Sequence, residues 1–174
     1  VGNLMIDTLL HYAPKIKKTD EQFYFCTLHR GENVDDKKIF DDILAALEVI
    51  AKDRPIYLPL HPRTEKMAKK FGFLPRMKNI FTILLPLSYK EALFYEKNAE
   101  LILTDSGGIQ EEASVLGVPC LTLRTETERP VTVTRGTNTV AGVTKKSILS
   151  VYRKKSLKRK KITIPLWDGK TSSR

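Results

Sequence analysis

Apolar residues follow two rhythms along the chain, short unbroken runs and longer stretches spaced three or four apart, and the two alternate. The unbroken runs predict buried strands over 23–28, 56–60, 80–84, 101–104 and 119–123, with a small strand at 138–140. Helical spacing predicts a helix over 35–52, where Ile39, Ile43, Ala46, Leu47 and Ile50 share a face. Further helices are expected over 63–71, 89–97, 108–116 and 145–152, with a short helical turn at 131–134. Strands alternating with helices at this spacing specify the α/β class, a Rossmann-like parallel sheet with helices on both faces. An opening helix gathers Val1, Leu4, Met5, Ile6, Leu9 and Leu10 on one face with no strand before it, so a neighbouring segment is expected to be missing. Past residue 161 comes an apolar stretch at 162–167 and then a polar turn at 168–173. No internal repeat is visible.

Composition narrows the class. With 174 residues, 41% hydrophobic and 29% charged, the chain is long enough to bury a core and is neither a disordered segment nor a membrane span. It reads as one basic domain or as half of a larger protein, with no signal peptide in view. The net charge of +10 is unevenly placed: residues 1–144 hold nineteen basic and nineteen acidic side chains, whereas 145–161 hold nine basic ones and no acid. Ile148, Leu149 and Tyr152 fall at helical spacing among those lysines, as in an amphipathic helix docked on something. The charge run itself reads as a solvated face, so neither nucleic acid nor a membrane is expected as a partner. Cys26 and Cys120 lie inside apolar runs and read as reduced core residues, which points to the cytoplasm.

In a parallel sheet, ligands sit beyond the carboxyl ends of the strands, so the loops there become the candidates. Three such ends carry polar groups: His29-Arg30-Gly31-Glu32-Asn33, His61-Pro62-Arg63 and Asp105-Ser106-Gly107-Gly108. A strand followed by Ser-Gly-Gly and a helix brings unpaired backbone N–H groups to a helix N-terminus, a cradle for phosphate. The competing reading makes Ser106 a plain N-cap on a packing helix. Glu111 and Glu112 are about 100° apart on that helix, so one faces the ligand, where it can accept from ribose hydroxyls, and the other is expected in solvent. His29 and Arg30 pair a titratable group with a fixed cation, suited to a departing diphosphate; the alternative is a histidine bonded to a loop carbonyl. His61 reads equally as a ligand-facing group or a turn residue, and His11 as a surface one. Three scattered histidines with buried cysteines make no metal site. Neither the lysine-bearing P-loop nor G-x-G-x-x-G occurs, which excludes the P-loop triphosphatases and gives no support to a nicotinamide site.

Together, His29-Arg30-Gly31-Glu32-Asn33, His61-Pro62, the run from Leu103 to Ala113, Thr127-Glu128-Arg129-Pro130 and Gly136-Thr137-Asn138 resemble the non-hydrolysing UDP-N-acetylglucosamine 2-epimerases over nearly the whole chain. Gly2-Asn3 with Ile6-Asp7 resembles the point where that family's second domain begins. The resemblance implies one half of a two-domain glycosyltransferase-B arrangement. It also implies interconversion of UDP-N-acetylglucosamine and UDP-N-acetylmannosamine by elimination and re-addition of UDP, with no cofactor, in a homodimer. Residues 1–144 would then be a UDP-binding domain, and 145–174 a basic helix and tail packing on the absent N-terminal domain. By the same resemblance, His29 acts at the leaving diphosphate, Ser106, Gly107 and Gly108 hold its oxygens, Glu112 binds the ribose and Arg129 adds a cation. Arg30 and His61 would be substrate-side or regulatory, and the loop 86–93 would hold uracil through backbone groups near Ala92. The absent half would supply the acids that move the C2 proton, so this chain alone is expected to bind UDP weakly and not to epimerise. A glycosyltransferase nucleotide-binding half and a hydrolysing 2-epimerase are the rival readings.

Overall fold

The structure is a computed structural model and describes residues 2–171; Val1, Ser172, Ser173 and Arg174 lie outside the described residues. Six strands, β1 (Tyr24–Thr27), β2 (Ile56–Pro59), β3 (Phe81–Leu84), β4 (Leu101–Thr104), β5 (Cys120–Thr122) and β6 (Asn138–Val140), form one sheet in the order β3-β2-β1-β4-β5-β6. Every pairing is parallel. The order reverses between β1 and β4, and a crevice opens there beyond the strand ends.

Helices α1 (Leu4–Tyr12), α2 (Gly31–Val34), α3 (Lys37–Ile50), α4 (Pro62–Phe71), α5 (Leu74–Ile80), α6 (Tyr89–Asn98), α7 (Gly107–Leu116), α8 (Pro130–Thr134) and α9 (Lys145–Lys154) connect and cover them. Both faces of β1 and β4 are buried, which is why their sequences read as unbroken apolar runs rather than as an alternation. Successive side chains alternate sides. Tyr24 and Cys26 therefore join the core beneath α3, while Phe23 and Phe25 join the one beneath α7. Both cysteines are buried and unbridged. Among the described residues no helix is long and apolar enough to cross a membrane, and no group of His, Cys, Asp and Glu could hold a metal ion.

Two elements depart from the expected outline. The predicted helix over 35–52 is preceded by the separate turn α2, because Asp36 caps α3 by accepting from Lys38 N and Ile39 N at 2.8 and 3.0 Å. The α5 helix was not expected at all, yet it buries Met77 and Ile80.

The opening helix and the segment after α9 both fold back onto the domain. Ile6 and Leu9 of the opening helix are fully buried against Leu93, Val115, Leu116 and Trp167, so part of the face expected to lack a receiver has one within the chain, while Leu4 and Met5 stay exposed. Ile148 and Leu149 of α9 belong to the main core. The following segment runs back across the sheet. Lys155 Nζ donates to Thr137 O and Thr139 Oγ1, both at 2.7 Å, Arg159 donates to Ala99 O at 3.0 Å, and Lys160 N donates to Gly117 O at 3.0 Å. Gly117 has φ +71°, and a Cβ there would lie 2.2 Å from the Lys160 carbonyl oxygen, so glycine serves both the helix end and the strap above it.

Candidate functional site

The loops after β1, β2 and β4 meet at the switch point, held by one buried carboxylate. Asp105 is fully buried, and its Oδ2 accepts from His29 N at 2.9 Å, Arg30 N at 2.8 Å and Asn33 Nδ2 at 3.3 Å. His29 Nδ1 stands 3.2 Å from the other oxygen, Oδ1, close enough for charge attraction but off the hydrogen-bonding axis, so Oδ1 is otherwise unpartnered. Asp105 thereby fixes the His29 loop against β4. Sequence reasoning placed Asp105 in the loop but gave it no role; its position at the end of a fully buried strand was the available signal.

His29 and His61 face each other with ring centroids 5.3 Å apart. His61 also does the turn work expected of the alternative reading, since its Nδ1 accepts from Arg63 N at 3.2 Å and caps α4. Beside the rings lies a cleft of about 240 Å³ walled by Leu28, Pro59, Leu60, Pro86, Leu87 and Ile109. The Arg30 guanidinium forms no ion pair among the described residues.

Ser106 occupies the N-cap of α7, but its side chain makes no capping bond, contrary to the plain-cap reading. Its own N–H goes back to Thr104 Oγ1 at 2.9 Å. The first turn of α7 therefore presents Gly107 and Gly108 with their amides uncapped by any side chain. A Cβ on Gly107 would lie 3.8 Å from Arg129 Nε, which puts the arginine beside the cradle; one on Gly108 would come 2.8 Å from Met5 Cε. Arg129 Nε lies 3.1 Å from Glu111 Oε1.

Glu111, one of the two glutamates of which one was expected in solvent, is buried against that arginine; Glu112 is buried as well. Glu112 Oε1 accepts from Tyr89 Oη at 2.9 Å. Burial raises the Glu112 carboxyl above its ordinary range. Behind it, Glu96 of α6 is pushed up further, first by burial and then by the charge of Glu112. Glu96 was not singled out in the sequence. Ala92 lies in the first turn of α6 with its N–H donated to Ser88 O at 2.9 Å, and in the loop before that helix Leu85 is 84% exposed.

The sequence model of the UDP-N-acetylglucosamine 2-epimerase family matches residues 1–174. A UDP-N-acetylglucosamine 2-epimerase of Methanocaldococcus jannaschii is 38% identical over 190 residues, covering 100% of this chain and 52% of the relative. The crystal structure of the Methanocaldococcus jannaschii UDP-GlcNAc 2-epimerase with UDP-GlcNAc and UDP superposes with a TM-score of 0.86 at 36% identity, covering 99% of this chain and 52% of that one. An Escherichia coli heptosyltransferase with ADP shares the fold, with a TM-score of 0.56 at 14% identity over 84% of this chain and 46% of its own. The chain thus spans about half the length of the relatives it matches.

Proposed function

The chain belongs to the UDP-N-acetylglucosamine 2-epimerase family, and on that premise we propose that it is the nucleotide-binding half of an enzyme interconverting UDP-N-acetylglucosamine and UDP-N-acetylmannosamine. The observation that carries this reading is the uncapped start of α7 at the sheet's switch point, with His29, Arg30 and Arg129 around it. Backbone N–H groups at a helix N-terminus take phosphate oxygens, and the helix dipole favours negative charge there. In this reading the diphosphate rests on Ser106, Gly107 and Gly108, Arg129 leaves Glu111 to meet it, and Arg30 and His61 line the approach. Glu112 accepts from the ribose hydroxyls with the lone pairs that Tyr89 leaves free. Uracil enters the apolar cleft beside the loop that leads to Ala92.

The reaction asks little covalent work of these residues. A base removes the C2 proton, the C1–O bond breaks with its electron pair going to UDP, and UDP returns to C1 as a proton is delivered to the opposite face of C2. His29, steadied by Asp105, offsets the charge gathering on the diphosphate as the bond breaks. The C2 acid and base are assigned to a further domain facing this cleft, in a glycosyltransferase-B arrangement. The resemblance extends the proposal to a homodimer, and the two buried thiols support a cytoplasmic setting.

Calorimetric titration of this chain with UDP tests the nucleotide site: one UDP per chain is expected, weakened at least tenfold by Glu112→Ala. No binding, or unchanged binding to that variant, refutes the site. Turnover of UDP-N-acetylglucosamine by this chain alone would refute the assignment of the proton-transfer groups elsewhere.

A further inference from the structure

Glu96 and Glu112 face each other where α6 packs on α7, and both are nearly sealed from water, at 2% and 4% exposure. Tyr89 Oη closes one side of Glu112, and Glu96 stands seven positions, two helical turns, beyond Tyr89 on the same face of α6, which brings the two carboxyls within reach of one another. Glu96 Oε2 is buried with no donor facing it, and no salt bridge among the described residues reaches either carboxyl. An ionised Glu96 would thus bury a charge against a second carboxylate with an orphaned oxygen. A protonated Glu96 instead has a hydrogen to give and an acceptor beside it.

We propose that Glu96 is a positioning residue: it shares one proton with Glu112, so that the pair carries a single negative charge and Glu112 is held in one orientation toward the ribose of a uridine diphosphate. This rests on the reading of Glu112 as the ribose-binding group. The arrangement solves a conflict at the site, since a second carboxylate charge there would repel the diphosphate on the neighbouring turn of α7. The pair titrates as a unit, above the ordinary carboxyl range.

The other titratable groups around the pair do not replace that proton. From α6 comes Tyr89, from α1 Tyr12, whose ring meets Tyr89 at 6.0 Å, and from β5 Cys120. Burial pushes the Tyr89 hydroxyl up and the Cys120 thiol up to about 12, so both stay neutral through mildly alkaline pH. On α7, Glu111 pairs with Arg129 until the diphosphate draws that arginine away, and it is common to the wild type and every Glu96 variant. Lys155, which faces Cys120 and is lowered by burial, is common to the wild type and every Glu96 variant.

The test is UDP affinity by calorimetry from about pH 7 to about pH 9.5, above the phosphate's own titration near about 6, for the wild type, Glu96→Gln and Glu96→Leu, with pyrophosphate as a probe lacking ribose. The wild type should lose roughly tenfold in affinity once the pH passes the pair's own titration and the shared proton leaves. Glu96→Gln, which keeps a donor that cannot ionise, should bind as the wild type does at pH 7 and stay flat above it. Glu96→Leu should lose roughly tenfold for UDP at pH 7 and keep its pyrophosphate affinity. A Glu96→Gln profile that follows the wild type, or a loss as large as that of Glu96→Leu, overturns this role alone. Absence of UDP binding to the wild type overturns the functional reading and this role together.

Discussion

Helices α6 and α7 pack side by side and both begin after a serine, yet their N-termini are finished in opposite ways. At α6, Ser88 Oγ accepts from Glu91 N at 3.4 Å, and the Glu91 carboxylate accepts from Ser88 N at 2.8 Å and Ser88 Oγ at 2.7 Å. That reciprocal pair satisfies two orphan donors and holds the Glu91 carboxyl below its usual range. At α7 the third helical position is Ile109, the first two are glycines, and Ser106 makes no cap. One start is closed by its own side chains and the other is left open. A glutamate three residues after Ser106 would close the turn and repel a phosphate, so the missing cap and the proposed function require the same absence.

The largest effect expected comes from removing the carboxylate that holds the open end in place. Asp105→Ala leaves the His29 and Arg30 amides without an acceptor and takes one of the two acceptors of Asn33 Nδ2, and should lower unfolding stability in urea by about 3 kcal/mol while abolishing UDP binding. Closing the open turn sterically is a finer break. Gly107→Ala has room within the fold, with its nearest neighbour at 3.8 Å, and should leave stability within about 0.5 kcal/mol of the wild type yet cut UDP affinity at least tenfold.

The two serines separate structure from binding. Ser88→Ala should cost about 1 kcal/mol of stability and nothing in UDP affinity, because it removes a cap. Ser106→Ala should do the reverse, changing the urea midpoint little and weakening UDP several-fold by calorimetry. Smallest of all, Tyr89→Phe removes one of the donors to Glu112 and should weaken UDP about threefold with a folded circular dichroism spectrum.

The sheet was legible because its central strands are buried on both faces, and the carboxyl-edge loops followed from that alone. The predicted strand over 101–104 and the one over 138–140 match β4 and β6 residue for residue. What stayed hidden depends on contacts between distant segments. Seven residues rich in Lys, Arg and Pro carry too little periodicity to announce α5, and only packing on α3 and α4 gives Met77 and Ile80 their core. One of Glu111 and Glu112 was expected in solvent, and Glu96 drew no attention, because helix spacing says nothing of Arg129, eighteen positions beyond Glu111, or of Glu112, sixteen beyond Glu96. Ser106 carries a capping residue's identity, and only the path of its hydroxyl in three dimensions shows that it does not cap. Motif order pointed to His29 and Gly107, but not to the buried Asp105 that joins their loops.

Amide chemical-shift mapping of this chain during titration with UDP tests the central claim most directly. The account predicts the largest shifts at Gly107, Gly108 and Ile109, with the capped amides of Tyr89, Lys90 and Glu91 hardly moving. Shifts centred on residues 145–161, or equal shifts at the two helix starts, would contradict it.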